Sequence, residues 1–176
     1  MKSVFISAAL SLSALAVATP SLAALNPGDK APDFTVKAAT NGKVNNFTLS
    51  QALKKGPVVV YFYPKAFTKG CSVQAQQFSD NIDAFKSKKV TVIGLSADPI
   101  ATLSDFSTKD CAGKFAVGSD PKAKIAKSYD AKLPAVDMSG RVSYLIGQDG
   151  RILYTHDSSN AVTHVPGLLE AMKTLK

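Results

Sequence analysis

The apolar pattern is densest at positions 58–63, where Val58, Val59, Val60, Tyr61, Phe62 and Tyr63 follow one another without a polar interruption. A continuous run of β-branched and aromatic residues predicts a strand covered on both faces, as in the middle of a parallel sheet. Pro64 ends that run, a loop passes through Thr68 and Gly70, and Val73, Phe78, Ile82 and Phe85 then recur at helical spacing. Cys71 therefore falls at the amino terminus of a helix. Positions 90–96 predict a second buried strand, 100–109 a helix with Leu103 and Phe106 inward, and 115–117 a short strand, with another helix after Asp120 and Pro121. Strands at 142–147 and 152–156 flank an Asp149-Gly150 turn, a strong hairpin signal, and a helix over 162–175 closes the chain. Upstream lie an extended, Pro-containing segment over 26–34, an alternating stretch at 34–36, a turn at Gly42 and a short helix capped by Ser50 running through Leu53.

Strand, helix, strand, helix, then an antiparallel hairpin and a last helix is the order of a thioredoxin-like α/β fold, a mixed sheet flanked by helices. The same periodicity also suits other α/β sandwiches. The first residues read differently. Lys2 precedes an apolar run from Val4 to Val17, and Pro20, Ser21, Leu22 and Ala23 follow. This is the order of a secretory signal peptide, with an apolar stretch shorter than the roughly 18–20 residues a membrane-spanning helix needs. Residues 1–23 are expected to be removed, leaving 24–176 as a single domain in the periplasm or secreted, with no stable membrane association.

Charge narrows the function classes. Lys and Arg number 21 against 13 Asp and Glu, a formal charge of +8. The excess is almost all Lys, dispersed as at Lys54, Lys55, Lys86, Lys88 and Lys89, without an arginine tract or interleaved aromatics, so it reads as a solvated surface and not a nucleic-acid site. Arg141 and Arg151 are the two arginines. The two cysteines, Cys71 and Cys111, stand 40 positions apart, which excludes a CxxC redox pair and forms no metal-ligand cluster with His156 or His164. In an exported chain a structural disulfide is one reading of such a pair. A reactive thiol is the other, and local setting decides between them.

That setting is the segment Tyr63-Pro64-Lys65-Ala66-Phe67-Thr68-Lys69-Gly70-Cys71, just beyond the buried strand. Ligands collect past the carboxyl ends of strands in open α/β sheets, and the first turn of the next helix offers unpaired N–H groups and positive dipole to a thiolate. Lys65 and Lys69 add positive charge nearby. Pro64, Thr68 and Cys71 fall at the spacing PxxxTxxC, which resembles the active-site signature of the peroxiredoxins. The likeness extends to Gly28-Asp29-Lys30-Ala31-Pro32-Asp33-Phe34, Tyr61-Phe62-Tyr63-Pro64, Arg141-Val142-Ser143-Tyr144-Leu145-Ile146 and His164-Val165, and so over nearly the whole mature chain. The strand-end motif and the His-Val helix are similar to the Q-type, or bacterioferritin-comigratory-protein, branch.

The resemblance implies a thiol peroxidase that needs no metal or cofactor. It makes Cys71 the peroxidatic thiolate, Thr68 a hydrogen-bonding partner of the peroxide, Pro64 a shield for the sulfur, and Arg141 the guanidinium that holds thiolate and peroxide. Many members carry a resolving cysteine five residues after the first, but Gln76 stands there, and Gln74 replaces the usual acidic residue. Cys111, at the end of the helix over 100–109, takes the resolving role that another subset of the branch places there. A bridge between the two requires the first turn of the Cys71 helix to unwind. The implied partners are a peroxide and a thioredoxin-like dithiol reductant, and the branch resembles monomers. Two alternatives stay open: a one-cysteine peroxidase with Cys111 idle, and a non-catalytic domain stapled by a Cys71–Cys111 disulfide. His164 is expected to serve the fold.

Overall fold

A computed structural model describes residues 24–175 and shows one seven-stranded sheet with helices on both faces. The proposed leader lies outside the described residues. The strands are β1 (Thr35–Thr40), β2 (Lys43–Thr48), β3 (Val58–Phe62), β4 (Thr91–Ser96), β5 (Ala116–Ser119), β6 (Val142–Ile146) and β7 (Ile152–Asp157), in the order β2-β1-β5-β4-β3-β6-β7. β3, β4 and β5 run parallel, and every other pairing is antiparallel. The helices are α1 (Leu49–Leu53), α2 (Lys69–Asp80), α3 (Ile82–Ser87), α4 (Ile100–Lys109), α5 (Lys124–Ser128) and α6 (His164–Ala171). Among the described residues no helix is long and apolar enough to cross a membrane.

The period of two along a strand divides the core in half. Val58, Val60 and Phe62 enter one cluster with Ile93, Leu95, Val142 and Tyr144, while Val59, Tyr61 and Tyr63 enter the other with Phe78, Phe85, Phe106 and Leu168. All five residues of β3 are buried, so it is the central covered strand its composition predicts. Each Val buried there contributes about 1.5–3 kcal/mol relative to an exposed position. β4 tolerates Gly94 in this layer because the Tyr61 ring on β3 lies over it; a Cβ would stand 2.5 Å from the ring carbon bearing the hydroxyl.

Several boundaries differ from the sequence reading. Ser50 does not cap α1, because Thr48 holds the cap position and Ser50 lies inside the helix. β2 carries the unexpected sequence KVNNFT, largely exposed, and its edge position leaves no apolar alternation to read. The pattern through Phe85 belongs to two helices, which break at Asn81, and Val73 faces solvent. The closing helix is α6 between two 3₁₀ turns, Ala161–Thr163 and Met172–Thr174.

Candidate active site

The carboxyl ends of the three parallel strands lie along one edge of the sheet, and their loops build the site. Asp98, in the loop after β4, joins all three. One carboxylate oxygen accepts from the Ala66 N–H and the Ser96 hydroxyl, both at 2.8 Å, and its carbonyl accepts from the Ser119 hydroxyl at 2.7 Å. This holds the loop from Pro64 in a shape that takes Phe67 to φ +61°, where a residue with a side chain is strained. Phe67 remains half exposed, its ring edge-on to Phe106 at 5.2 Å and its face under the Lys109 ammonium at 5.8 Å.

Thr68 is the N-cap position of α2, with extended backbone. Its hydroxyl donates to the Lys65 carbonyl at 3.0 Å, and the first helical bond runs from Ser72 N–H to the Thr68 carbonyl at 2.9 Å. Residues 69–71 thus carry the orphan N–H groups of the first turn. Cys71 is buried with 2% exposure, and its sulfur accepts from Arg141 Nη2 at 3.4 Å. Arg141 comes from 70 positions away, at the threshold of β6, where its carbonyl accepts from Ser158 N–H. Gly70 lets the guanidinium approach, since a Cβ there would lie 3.2 Å from Nη2. The cation beside the sulfur is therefore Arg141, whereas Lys65 and Lys69 are exposed.

Gln74, one helical turn after Cys71, is the residue sequence reasoning missed as a participant. It is fully buried, and its carbonyl oxygen accepts from Arg141 Nη1, so the two terminal nitrogens of one guanidinium reach the sulfur and the amide. The signal was the i, i+3 spacing from Cys71, which places both on one face of α2. Arg141 Nε and Gln74 Nε2 are buried and without a hydrogen-bond partner among the described residues.

Cys111 follows Asp110, the C-cap of α4, and is completely buried. It lies in the same apolar cluster as Cys71, with Tyr61, Tyr63, Phe106 and Phe115. Burial pushes its thiol far above the ordinary cysteine range, and the Asp110 charge adds to the effect. Both cysteines are free thiols. His164 is buried beneath the start of β6. Its Nε2 faces the Ser158 carbonyl at 2.9 Å and so carries the proton, leaving Nδ1 to accept from the Ser143 hydroxyl at 2.8 Å. Burial lowers its pKa to about 4, so the ring is neutral. It serves the fold, as expected. Among the described residues no group of three His, Cys, Asp or Glu side chains forms a metal site.

The AhpC/TSA family model matches residues 27–155. Peroxiredoxin Bcp of Escherichia coli strain K12 is 35% identical over 157 residues, covering 85% of this chain and 96% of that one. The chain is a peroxiredoxin of the Bcp/Q type. A putative chloroplastic peroxiredoxin Q of Oryza sativa subsp. indica is 31% identical over 180 residues, covering 93% of this chain and 81% of that one. Among solved structures, the fold matches the crystal structure of peroxidoxin BcpB from Mycobacterium tuberculosis with TM-score 0.76 at 24% identity, covering 85% of this chain and 97% of that one. As a peroxiredoxin the chain is an oxidoreductase with thiol-dependent peroxidase activity, and membership implies a peroxide substrate and a thioredoxin-type reductant.

Proposed function

We propose that this peroxiredoxin uses Cys71 as its peroxidatic thiolate and Cys111 as its resolving thiol, in an exported, monomeric enzyme acting on hydrogen peroxide and organic hydroperoxides. The observation that carries the reading is the 3.4 Å contact between Arg141 Nη2 and the sulfur of the buried Cys71. A fixed guanidinium and the first-turn N–H groups stabilise negative charge on sulfur and on the oxygen that departs. The thiolate attacks one peroxide oxygen, an S–O bond forms as the O–O bond breaks, and the leaving oxygen takes a proton to depart as water or alcohol. Thr68 orients the peroxide through its hydroxyl, and Pro64 covers the sulfur. The Cys111 thiol then displaces hydroxide from the sulfenic acid, losing its own proton, so that a disulfide and water result. A thioredoxin-like dithiol returns both cysteines to thiols.

A one-cysteine cycle is the second reading, favoured by the complete burial of Cys111. One experiment separates the two. Stopped-flow reaction of the mature protein with peroxide, followed by mass spectrometry, is expected to show an S–S product in wild type, a persistent sulfenic acid in Cys111→Ser and no reaction in Cys71→Ser. Unchanged thioredoxin-driven turnover in Cys111→Ser refutes the resolving role, and peroxide consumption by Cys71→Ser refutes the whole assignment.

A further inference from the structure

The two residues that adjoin the cysteines hold each other. Ser72, next after Cys71, donates its hydroxyl to the carboxylate of Asp110, which directly precedes Cys111. Successive side chains on a helix point about 100° apart. The first turn of α2 therefore turns the Cys71 sulfur toward Arg141 while it turns Ser72 toward the end of α4.

Little else fastens that turn. Lys69 and Val73 are exposed, Gly70 favours no helix, and beyond Cys71 itself the buried anchors begin at Gln74, Ala75 and Phe78. Farther along, Phe78 stacks on Tyr61 at 4.3 Å between centroids, and Lys114 donates to the Ser79 carbonyl at 3.1 Å. The helix is thus secured at its far end, by its packing against the Ala161–Thr163 turn and α6, and by two side-chain hydrogen bonds in its first turn. A Cys71–Cys111 bridge brings the Cα atoms within about 7 Å with the Cβ vectors converging, so the sulfur must leave Arg141 and swing toward the end of α4. The turn has to unwind for this, and the hydroxyl–carboxylate bond opposes it.

We propose that the Ser72–Asp110 hydrogen bond is a latch that sets the rate of disulfide formation, with Ser72 and Asp110 as positioning residues. The proposal rests on Cys111 being the resolving thiol. While the latch is closed the sulfenic acid stays beside Arg141, open to a second peroxide that oxidises it to sulfinic acid. When the latch opens, Cys111 attacks the sulfenic sulfur, the S–O bond breaks, and the hydroxyl leaves with the thiol proton as water. The latch accordingly apportions each turnover between recycling and irreversible loss.

Two substitutions separate the latch from the charge beside Cys111. Ser72→Ala deletes the donor and keeps the carboxylate, whereas Asp110→Asn removes the charge and keeps an acceptor. After a single-equivalent hydrogen peroxide pulse, Ser72→Ala is expected to close the disulfide about tenfold faster relative to its own sulfenic acid formation. At excess peroxide it should leave a smaller sulfinic fraction by mass spectrometry. In the reduced protein the amide of residue 72, which donates to Thr68 at 2.9 Å in the wild type, should exchange about tenfold faster. Asp110→Asn is expected to hold that amide near wild-type protection. A bridge that forms at the wild-type rate in Ser72→Ala, with unchanged exchange, overturns the latch alone. Absence of any Cys71–Cys111 bridge in wild type overturns it together with the resolving role.

Discussion

At Gln74 a neutral amide meets a partly buried guanidinium, and the pairing has a direction. Its carbonyl oxygen orients Arg141 without neutralising it, so the full positive charge remains available to the sulfur on the other terminal nitrogen. A hydrogen bond to a charged group contributes about 1.5–3 kcal/mol, and each 1.36 kcal/mol of transition-state stabilisation is tenfold in rate. Gln74→Ala is therefore expected to lower the second-order rate constant for peroxide by about tenfold or more, read by stopped flow, with the fold intact by circular dichroism. The sequence showed Gln74 as a departure from the branch's usual acid, yet not what it touches, because its partner lies 67 positions away. The grouping of Pro64, Thr68 and Cys71 was legible because the three fall within one loop and one helical turn. The Arg141 contact with Cys71, spanning 70 positions, was signalled only by the Arg141 motif.

Elements were legible in proportion to how much apolar surface they bury. β3, β4 and α4 stood out because the strands are buried on both faces and one face of the helix carries buried side chains. β2 escaped notice because an edge strand with exposed residues makes its backbone pairing with β1 without an apolar signature. The Asn81 break also escaped notice, since Phe78, Ile82 and Phe85 stay buried on either side of it and preserve the period. Gly94 shows how β3 and β4 depend on each other. Gly94→Ala would drive a methyl group into the Tyr61 ring, and such overpacking costs about 1–3 kcal/mol. Chemical denaturation should show that loss, and the double variant Gly94→Ala/Tyr61→Leu should lose less than the sum of the two single changes.

On the scale of the whole molecule, β6, the loop after β7 and α6 meet at His164. Its ring is neutral in the folded protein, with a pKa of about 4, against about 6.5 when unfolded. Between those values the unfolded chain binds a proton that the folded chain refuses, so stability is full above pH 6.5 and falls as pH drops toward 4. Urea midpoints measured from pH 7 to pH 4.5 are expected to decline in wild type and to decline less steeply in His164→Asn. This burial depends on contacts between distant segments, and the sequence marked His164 only as structural.

The Asp98 clasp has a consequence for how the enzyme survives its own cycle. It pins the backbone at Ala66, while the helical ladder of α2 begins only at Ser72. Unwinding can therefore proceed downstream of Thr68 with the loop from Pro64 to Thr68 left standing. In the proposed Cys71–Cys111 cycle, motion is confined to a short hinged flap, and on reduction the first turn of α2 re-forms against a loop that has stayed in place.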